Sequence, residues 1–344
     1  MVQLRGQDVG CAMSASKSSL ITLKNISQAS VHHLFSESLK LKNNFSQHGL
    51  TAGVYHSGYK GTAALFLFQP GTRTRFSFEA ACSRAGFHPL ILDGGVGTSL
   101  EKGETVEDTI LNIEALRPLF FVIRCDDMVN LELIERTVSI PVINAGWGRQ
   151  GHPTQALLDA LTIYEKHRQL KGCRVLFVGD IKHSRVVASH IELSRVMGYQ
   201  IAFSGPPHFM PDLSHPLMNP EDSPEFIPVF SRLEEGLGWA DVVIALRVQK
   251  ERHDSENMFL IEDYREHFGL NSHNLRFLKP EGLIMHPGPI NYGVEIETET
   301  LKDSRCVILK QVENGAFLRE ALIRQLFEKT DGLESRRRSH QEKT

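Results

Sequence analysis

Long apolar runs are missing from this chain of 344 residues. No stretch approaches the roughly 20 apolar residues that span a bilayer, so no membrane-crossing helix is expected. Cysteine is sparse, with five residues (Cys11, Cys82, Cys125, Cys173 and Cys306) spread along the whole chain. Without a C-x-x-C pair they suggest neither a zinc site nor a disulfide framework. No secretory leader is legible, and the expectation is a reduced, cytoplasmic protein. An excess of one charge is lacking too. The 38 Lys and Arg against 41 Asp and Glu leave a formal net charge of −3, which argues against a general nucleic-acid or membrane surface. There is no internal repeat and no Walker lysine pattern, and "VGDIKHSR", which resembles the strand–turn–helix of nucleotide-binding folds, lacks G-x-G-x-x-G, so neither a dinucleotide site there nor a nucleoside triphosphatase is supported.

What is present is alternation. Short apolar runs read as strands: "TAALFLF", "PLILDGG", "LFFVIR" and "IPVINAG" in the first half, and "CRVLFVGD", "QIAFSG", "ADVVIAL" and "GLIMHPG" in the second. Amphipathic stretches such as "SFEAACSRAG", "PTQALLDALTIYEKH" and "SRVVASHIELSRVMG" lie between them. The alternation predicts an α/β protein of two similar doubly wound domains with parallel sheets, joined by bridging helices. The divide falls at "NAGWGRQGHPTQ", where a strand ends in a Gly-rich turn and a helix begins at Pro153. Residues 1–20 read as a flexible extension and 21–152 as the first domain, completed by a C-terminal helix over 313–330. Residues 153–312 read as the second domain and 331–344 as a disordered basic tail.

In open parallel sheets ligands bind beyond the carboxyl ends of the strands. The polar clusters "PGTRTR", "RCDD", "GWGRQGHPTQ", "DIKHSR", "RVQKER" and "HPGPINYG" each follow a predicted strand, so facing domains would gather them into one cleft. In "GTRTR", Thr72, Thr74 and an arginine fork (Arg73 or Arg75) stand at a helix start, where free N–H groups and the helix dipole favour an anion such as phosphate. His152 and Gln155, about one helical turn apart, can face the same way and hold a carbonyl and an amide. Arg185 opens the next helix and can meet a carboxylate. Arg247 and Gln249 share a side if their segment is extended. Ser99 and Lys102 lie in a polar loop ahead of a helix capped by Thr105, and spacing alone leaves them as surface residues or as ligands for a distant anion.

The order TRTR-F-FE, S-x-x-KGET-x-x-DT, HPTQ-x-LLD, VGDIKHSR, RVQKER and HPGP-x-N closely resembles the catalytic chain of the aspartate carbamoyltransferases, over roughly residues 20–330. HPTQ and RVQKER are similar to the aspartate enzymes rather than to the ornithine carbamoyltransferases. The resemblance implies transfer of the carbamoyl group of carbamoyl phosphate to the amine of L-aspartate, the committed step towards pyrimidines, with no metal or organic cofactor. It assigns residues 21–152 to carbamoyl phosphate and 153–312 to aspartate. It implies that Thr72, Arg73 and Thr74 hold the phosphate, that Arg124, His152 and Gln155 hold the carbamoyl end, and that the main chain at Gly288 and Pro289 takes its amide. It implies that Arg185 and Arg247 bind the aspartate carboxylates, with Gln249 orienting their loop. Ser99 and Lys102 would come from the adjacent subunit of a trimer, Lys102 reaching both substrates, so that the site lies between domains and between subunits. Domain closure over both substrates is expected.

Three positions depart from the family pattern: Gly71 stands where serine is usual, Trp147 where an aspartate is usual, and Tyr292 where an arginine is usual. Loss of a serine hydroxyl from a phosphate site costs on the order of 1.5–3 kcal/mol, an expected ~10- to 100-fold weaker binding. These changes keep two alternatives open: a carbamoyltransferase with another amine acceptor, and a non-catalytic structural or regulatory paralogue of the trimer.

Overall fold

The computed structural model describes residues 18–48, 58–94, 97–211, 227–248 and 258–341. Helix α1 (Gln28–His48) precedes a first sheet of β1 (Gly61–Leu67), β2 (Phe87–Asp93), β3 (Phe121–Cys125) and β4 (Val142–Trp147). The sheet is parallel, in the order β2-β1-β3-β4. Its inner strands are apolar on both faces because helices cover both sides, as parallel sheets require. The connections carry α2 (Thr72–Ala85), α3 (Val106–Glu114) and α4 (Leu131–Thr137). Thr105 caps α3 as its sequence predicts, its hydroxyl accepting from Asp108 N–H at 3.0 Å. The chain is tied into this sheet from Leu20, whose N–H donates to Val142 O at 2.8 Å and whose carbonyl accepts from Asn144 N–H at 2.9 Å.

Helix α5 (Pro153–His167) leads to the second sheet of β5 (Arg174–Val178), β6 (Gln200–Ser204), β7 (Val229–Phe230), β8 (Val242–Ala245) and β9 (Leu283–Met285). This sheet is also parallel, ordered β7-β6-β5-β8-β9. The two-residue strand β7 has no counterpart among the predicted strands, since a pair of residues carries no periodicity. Helices α6 (Arg185–Met197), α7 (Leu233–Trp239) and α8 (Met258–Phe268) belong to this half.

Helix α9 (Ile308–Gln341) then returns to the first half and passes both ends of the predicted 313–330 helix. Beyond residue 330, where a tail is expected, the helix runs on through "DGLESRRRSHQ" to Gln341.

One core runs through both halves. It joins Leu65, Val122 and Ile143 of the first sheet, Leu157 and Leu161 of α5, Val175 and Phe177 of the second sheet, and Leu318 and Leu322 of α9. Buried Lys42 of α1 donates to Glu165 of α5 at 2.7 Å and to Asn314 of α9 at 2.6 Å, linking the three helices. Among the described residues, no helix is long and apolar enough to cross a membrane.

Candidate active site

The carboxyl ends of β1, β3, β4, β5, β8 and β9 open into one cleft of about 660 Å³ between the two sheets. The loops that follow these strands contribute Thr72, Arg73, Thr74, Arg124, His152 and Gln155 from one side, and Arg185, Arg247, Gly288 and Pro289 from the other. Sequence reasoning from strand ends therefore brings these ten residues together as predicted.

Helix α2 begins at Thr72 directly after β1, so its unpaired first-turn N–H groups border the cleft. The two arginines of the motif separate. Arg73 lines the cleft, whereas Arg75 points to the exposed end of β2, its Nε bonded to Glu79 at 2.7 Å and its Nη1 paired with Asp93. Arg124 lies across the start of α2, donating to Pro70 O at 3.0 Å and to Ala145 O at 3.3 Å. Its Nε is buried without a hydrogen-bond partner. Burial, together with the neighbouring Arg185 and Arg319 charges, pushes its guanidinium down to about 9. Such a crowd of half-desolvated cations is stabilised by any anion that enters among them.

His152 and Gln155 start α5, whose Pro153 occupies the first helical position where its missing N–H costs nothing. The His152 ring is almost wholly buried, its main-chain N–H donates to Ser189 Oγ at 2.8 Å, and its Nδ1 has no partner. Burial and then the charges of Arg124, Arg185 and Arg319 hold it well below the usual imidazole range, so it is neutral at pH 7. Gln155 donates its NH₂ to Asp159 at 2.9 Å, which leaves its carbonyl oxygen to accept from a ligand amide. Asp159 also accepts from Gln311 of α9 at 2.8 Å and faces His190 of α6 at 3.3 Å. The fully buried carboxylate thus fixes Gln155 from three helices.

On the opposite wall, Arg185 donates to Gln69 at 2.8 Å, reaching across to the β1 end. The loop bearing Arg247 is held by buried Glu295, which accepts from Val248 N–H and from the Asn291 side chain, both at 2.7 Å. Gly288 adopts a left-handed φ of 70°, and a Cβ there would stand 2.5 Å from the Arg73 guanidinium carbon. Only glycine lets that backbone and the guanidinium approach so closely.

Two buried side chains of the cleft escaped sequence reasoning. His286 lines the cleft with its Nδ1 accepting from Gly288 N–H at 2.7 Å, so its Nε2 carries the proton and is buried without a partner. Burial, Arg73 and Arg247 push this ring down to about 3, making it a neutral donor. Arg319 of α9 is the second. It is buried, donates to Ser77 Oγ at 2.8 Å and packs over the Phe78 ring at 5.0 Å, while burial lowers it to about 10. One signal was available. Gly315, one turn earlier, leaves room for Arg319, whose Nη1 would lie 2.9 Å from a Cβ there.

Residues 18–165 match the family model for the carbamoyl-phosphate-binding domain of aspartate/ornithine carbamoyltransferases, and residues 171–326 match that for their Asp/Orn-binding domain. This chain belongs to the aspartate/ornithine carbamoyltransferase family. Among its relatives is the aspartate carbamoyltransferase catalytic subunit of Trichlorobacter lovleyi, 40% identical over 77% of this chain and 83% of the relative. That of Caldanaerobacter subterraneus subsp. tengcongensis is 34% identical over 91% of this chain and 99% of its own. A crystal structure of aspartate transcarbamoylase from Trypanosoma cruzi in complex with carbamoyl phosphate and aspartate superposes with a TM-score of 0.74. It is 26% identical to this chain and covers 89% of it and 95% of that protein.

The departures from the carbamoyltransferase pattern take on a different meaning in three dimensions. A Cβ at position 71 would lie 2.8 Å from Arg124 Nε and 2.9 Å from its Cζ, although the backbone there is extended and open to any residue. Gly71 is therefore the floor on which Arg124 rests. Restoring the family serine by Gly71→Ser is expected to displace Arg124 and lower kcat/KM for carbamoyl phosphate by about tenfold, since a mispositioned charge-assisted hydrogen bond costs roughly 1.5 kcal/mol. Steady-state kinetics on the purified variant check this, and a gain in affinity would reverse the reading. Trp147 does not line the cleft. Its indole N–H donates to Val129 O at 2.8 Å and its ring joins the outer core of the first sheet. Tyr292 is 58% exposed and also lies off the cleft. Ser99 and Lys102 sit on an exposed 3₁₀ turn, Ser99–Lys102, and are not among the cleft residues of their own chain. Gln249 lies outside the described residues.

Proposed function

We propose that this protein transfers the carbamoyl group of carbamoyl phosphate to the amine of L-aspartate, giving N-carbamoyl-L-aspartate and phosphate. The observation that carries this reading is the single cleft that opposes a helix start with Arg73 and Arg124 to a second wall with Arg185 and Arg247. Relatives up to 40% identical that are aspartate carbamoyltransferase catalytic subunits favour aspartate over ornithine as acceptor.

In this mechanism the phosphate rests on the first turn of α2 with Thr72 and Thr74, and Arg73 neutralises it as it leaves. The carbonyl oxygen lies among Arg124, neutral His152 and Thr74. These preorganised donors stabilise the charge that develops when the amine attacks. Gln155 and the main chain around Gly288 and Pro289 take the carbamoyl NH₂. Arg185 and Arg247 grip the two carboxylates of aspartate. Holding two anionic substrates in attack geometry supplies much of the acceleration.

The homotrimer and the shared site belong to the same proposal. Ser99 and Lys102 are exposed and do not line their own cleft, and the edge strand β2 that precedes them carries exposed Ile91, with Phe76 exposed on α2. An uncovered apolar edge of this kind suits a neighbouring copy whose cleft receives Lys102. The balanced charge and scattered cysteines favour a cytoplasmic location. Incubation with carbamoyl phosphate and L-aspartate is expected to yield carbamoyl-aspartate. Product with a different amino acid alone would favour another acceptor. No product, together with tight binding of a bisubstrate phosphonate, would favour a non-catalytic relative.

A further inference from the structure

Aspartate reaches a neutral-pH active site as an ammonium ion, which has no lone pair for attack, so a carbamoyl-transfer cleft needs a proton acceptor beside the amine. The two histidines already described are poor acceptors. His286 holds its proton on Nε2 because Nδ1 is occupied by Gly288 N–H. His152 is buried among Arg124, Arg185 and Arg319, whose charges oppose a further cation. Of the carboxylates in the cleft, Asp127 is taken by the main-chain N–H and Nε of Arg149, at 2.8 and 3.1 Å. Asp126 accepts from Met128 N–H at 2.9 Å.

The loop between β5 and α6 holds a different arrangement. His183 Nδ1 lies 2.9 Å from Asp180 Oδ1 and 3.2 Å from Oδ2, and the His183 main-chain N–H donates to the same carboxylate at 3.3 Å. Asp180 is nearly buried, with 5% of its side chain exposed, while the His183 side chain is 32% exposed, and both line the cleft. A carboxylate on Nδ1 fixes the tautomer with the proton there, turns Nε2 into the acceptor and steadies the imidazolium that follows. Arg185, two residues on, is the expected carboxylate ligand of aspartate, so His183 flanks the amino-acid end of the site.

We propose that His183, oriented by Asp180, is the group that takes the proton from the substrate ammonium. The inference rests on the carbamoyl-transfer reading and adds a residue to it. The ammonium N–H proton passes to Nε2, and the freed lone pair forms the N–C bond to the carbamoyl carbon. The C–O bond to phosphate then breaks, and the second N–H proton leaves with the phosphate. The imidazolium returns its proton to solvent. Several charged groups surround this dyad. Arg185 on α6, Arg247 after β8, Arg149 after β4, and Asp126 and Asp127 after β3 line the same cleft. Behind Asp180, the Tyr264 phenol of α8 is held protonated by burial, Glu295 and Asp180 itself.

The test is a kinetic comparison of full-length His183→Gln and Asp180→Asn with the wild type, from neutral to strongly alkaline pH. At neutral pH, His183→Gln is expected to lose about 100-fold in kcat, the lower end for general-base catalysis. The deficit should shrink as alkali deprotonates the free amine, and added imidazole should restore part of the rate. Asp180→Asn should lose less, about tenfold, through the misoriented ring. The KM for carbamoyl phosphate and the affinity for a bisubstrate phosphonate should not change, which establishes that the variants fold. A His183→Gln enzyme with wild-type kcat, or with a deficit constant across pH and unrelieved by imidazole, overturns the assignment and leaves the phosphate itself as acceptor. Absence of product from the wild type would instead sink the underlying reading.

Discussion

Arg73→Ala is expected to lower kcat by roughly 10³-fold, the scale seen when a preorganised donor is removed from developing charge. The side chain starts in the first turn of α2 but its guanidinium rests against Gly288 of the loop after β9, so it spans the two halves of the cleft. There it meets the leaving phosphate where the negative charge grows as the C–O bond breaks, and its planar fork can grip two oxygens at once. Because Arg73 is exposed, its removal leaves no cavity, and size-exclusion elution should be unchanged. Arg73→Lys keeps the charge without the fork and should recover only part of the rate. Product formation under saturating substrates measures both. If Arg73→Ala turns over at the wild-type rate, the phosphate does not sit at the start of α2.

Asp159→Ala is expected to destabilise the fold by about 3–5 kcal/mol, the usual cost of breaking a buried polar cluster by removing one partner. The carboxylate is fully buried, accepts from Gln155 of α5 and Gln311 of α9, and lies 3.3 Å from Nε2 of His190 on α6. Alanine would strand all three groups in a dry interior. Gln311 in turn takes the His286 main-chain N–H at 3.0 Å, so the loss should spread to the loop carrying Gly288. Chemical denaturation should show a large drop in midpoint, and Asp159→Asn, which keeps one acceptor, a much smaller one. A midpoint within experimental error of wild type for Asp159→Ala would mean that the cluster does not hold the helices together.

The extent to which the site was legible in sequence follows from what each residue depends on. Thr72, Arg73, Arg124, His152, Arg185 and Arg247 are placed by one rule, that loops after parallel strands converge, and runs of apolar residues announce the strands. Arg319 could not be placed that way. Its partner Ser77 is 242 residues distant, and in the sequence it is one charge on an otherwise amphipathic helix. His286 stood in the HPGPINYG cluster with no role of its own, because an unpartnered, buried Nε2 is visible only in the folded chain. Gly71 is a related case. A missing hydroxyl is visible in a sequence, but a guanidinium lying on the vacated space is not.

Helix α9 sets a schedule for the whole molecule. The first half is closed by the last part of the chain: Phe327 packs on Phe87 at 5.0 Å and on Phe120 at 5.7 Å, and Leu318 and Leu322 enter the shared core. Synthesis runs from the N-terminus, so the flank of α2 and β2 emerges first and waits through the entire second half for its cover. Contacts this distant in sequence are slow to form and leave apolar surface exposed meanwhile. A growing chain of this design is open to chaperones, or to its neighbours, on the very side that its final helix later seals.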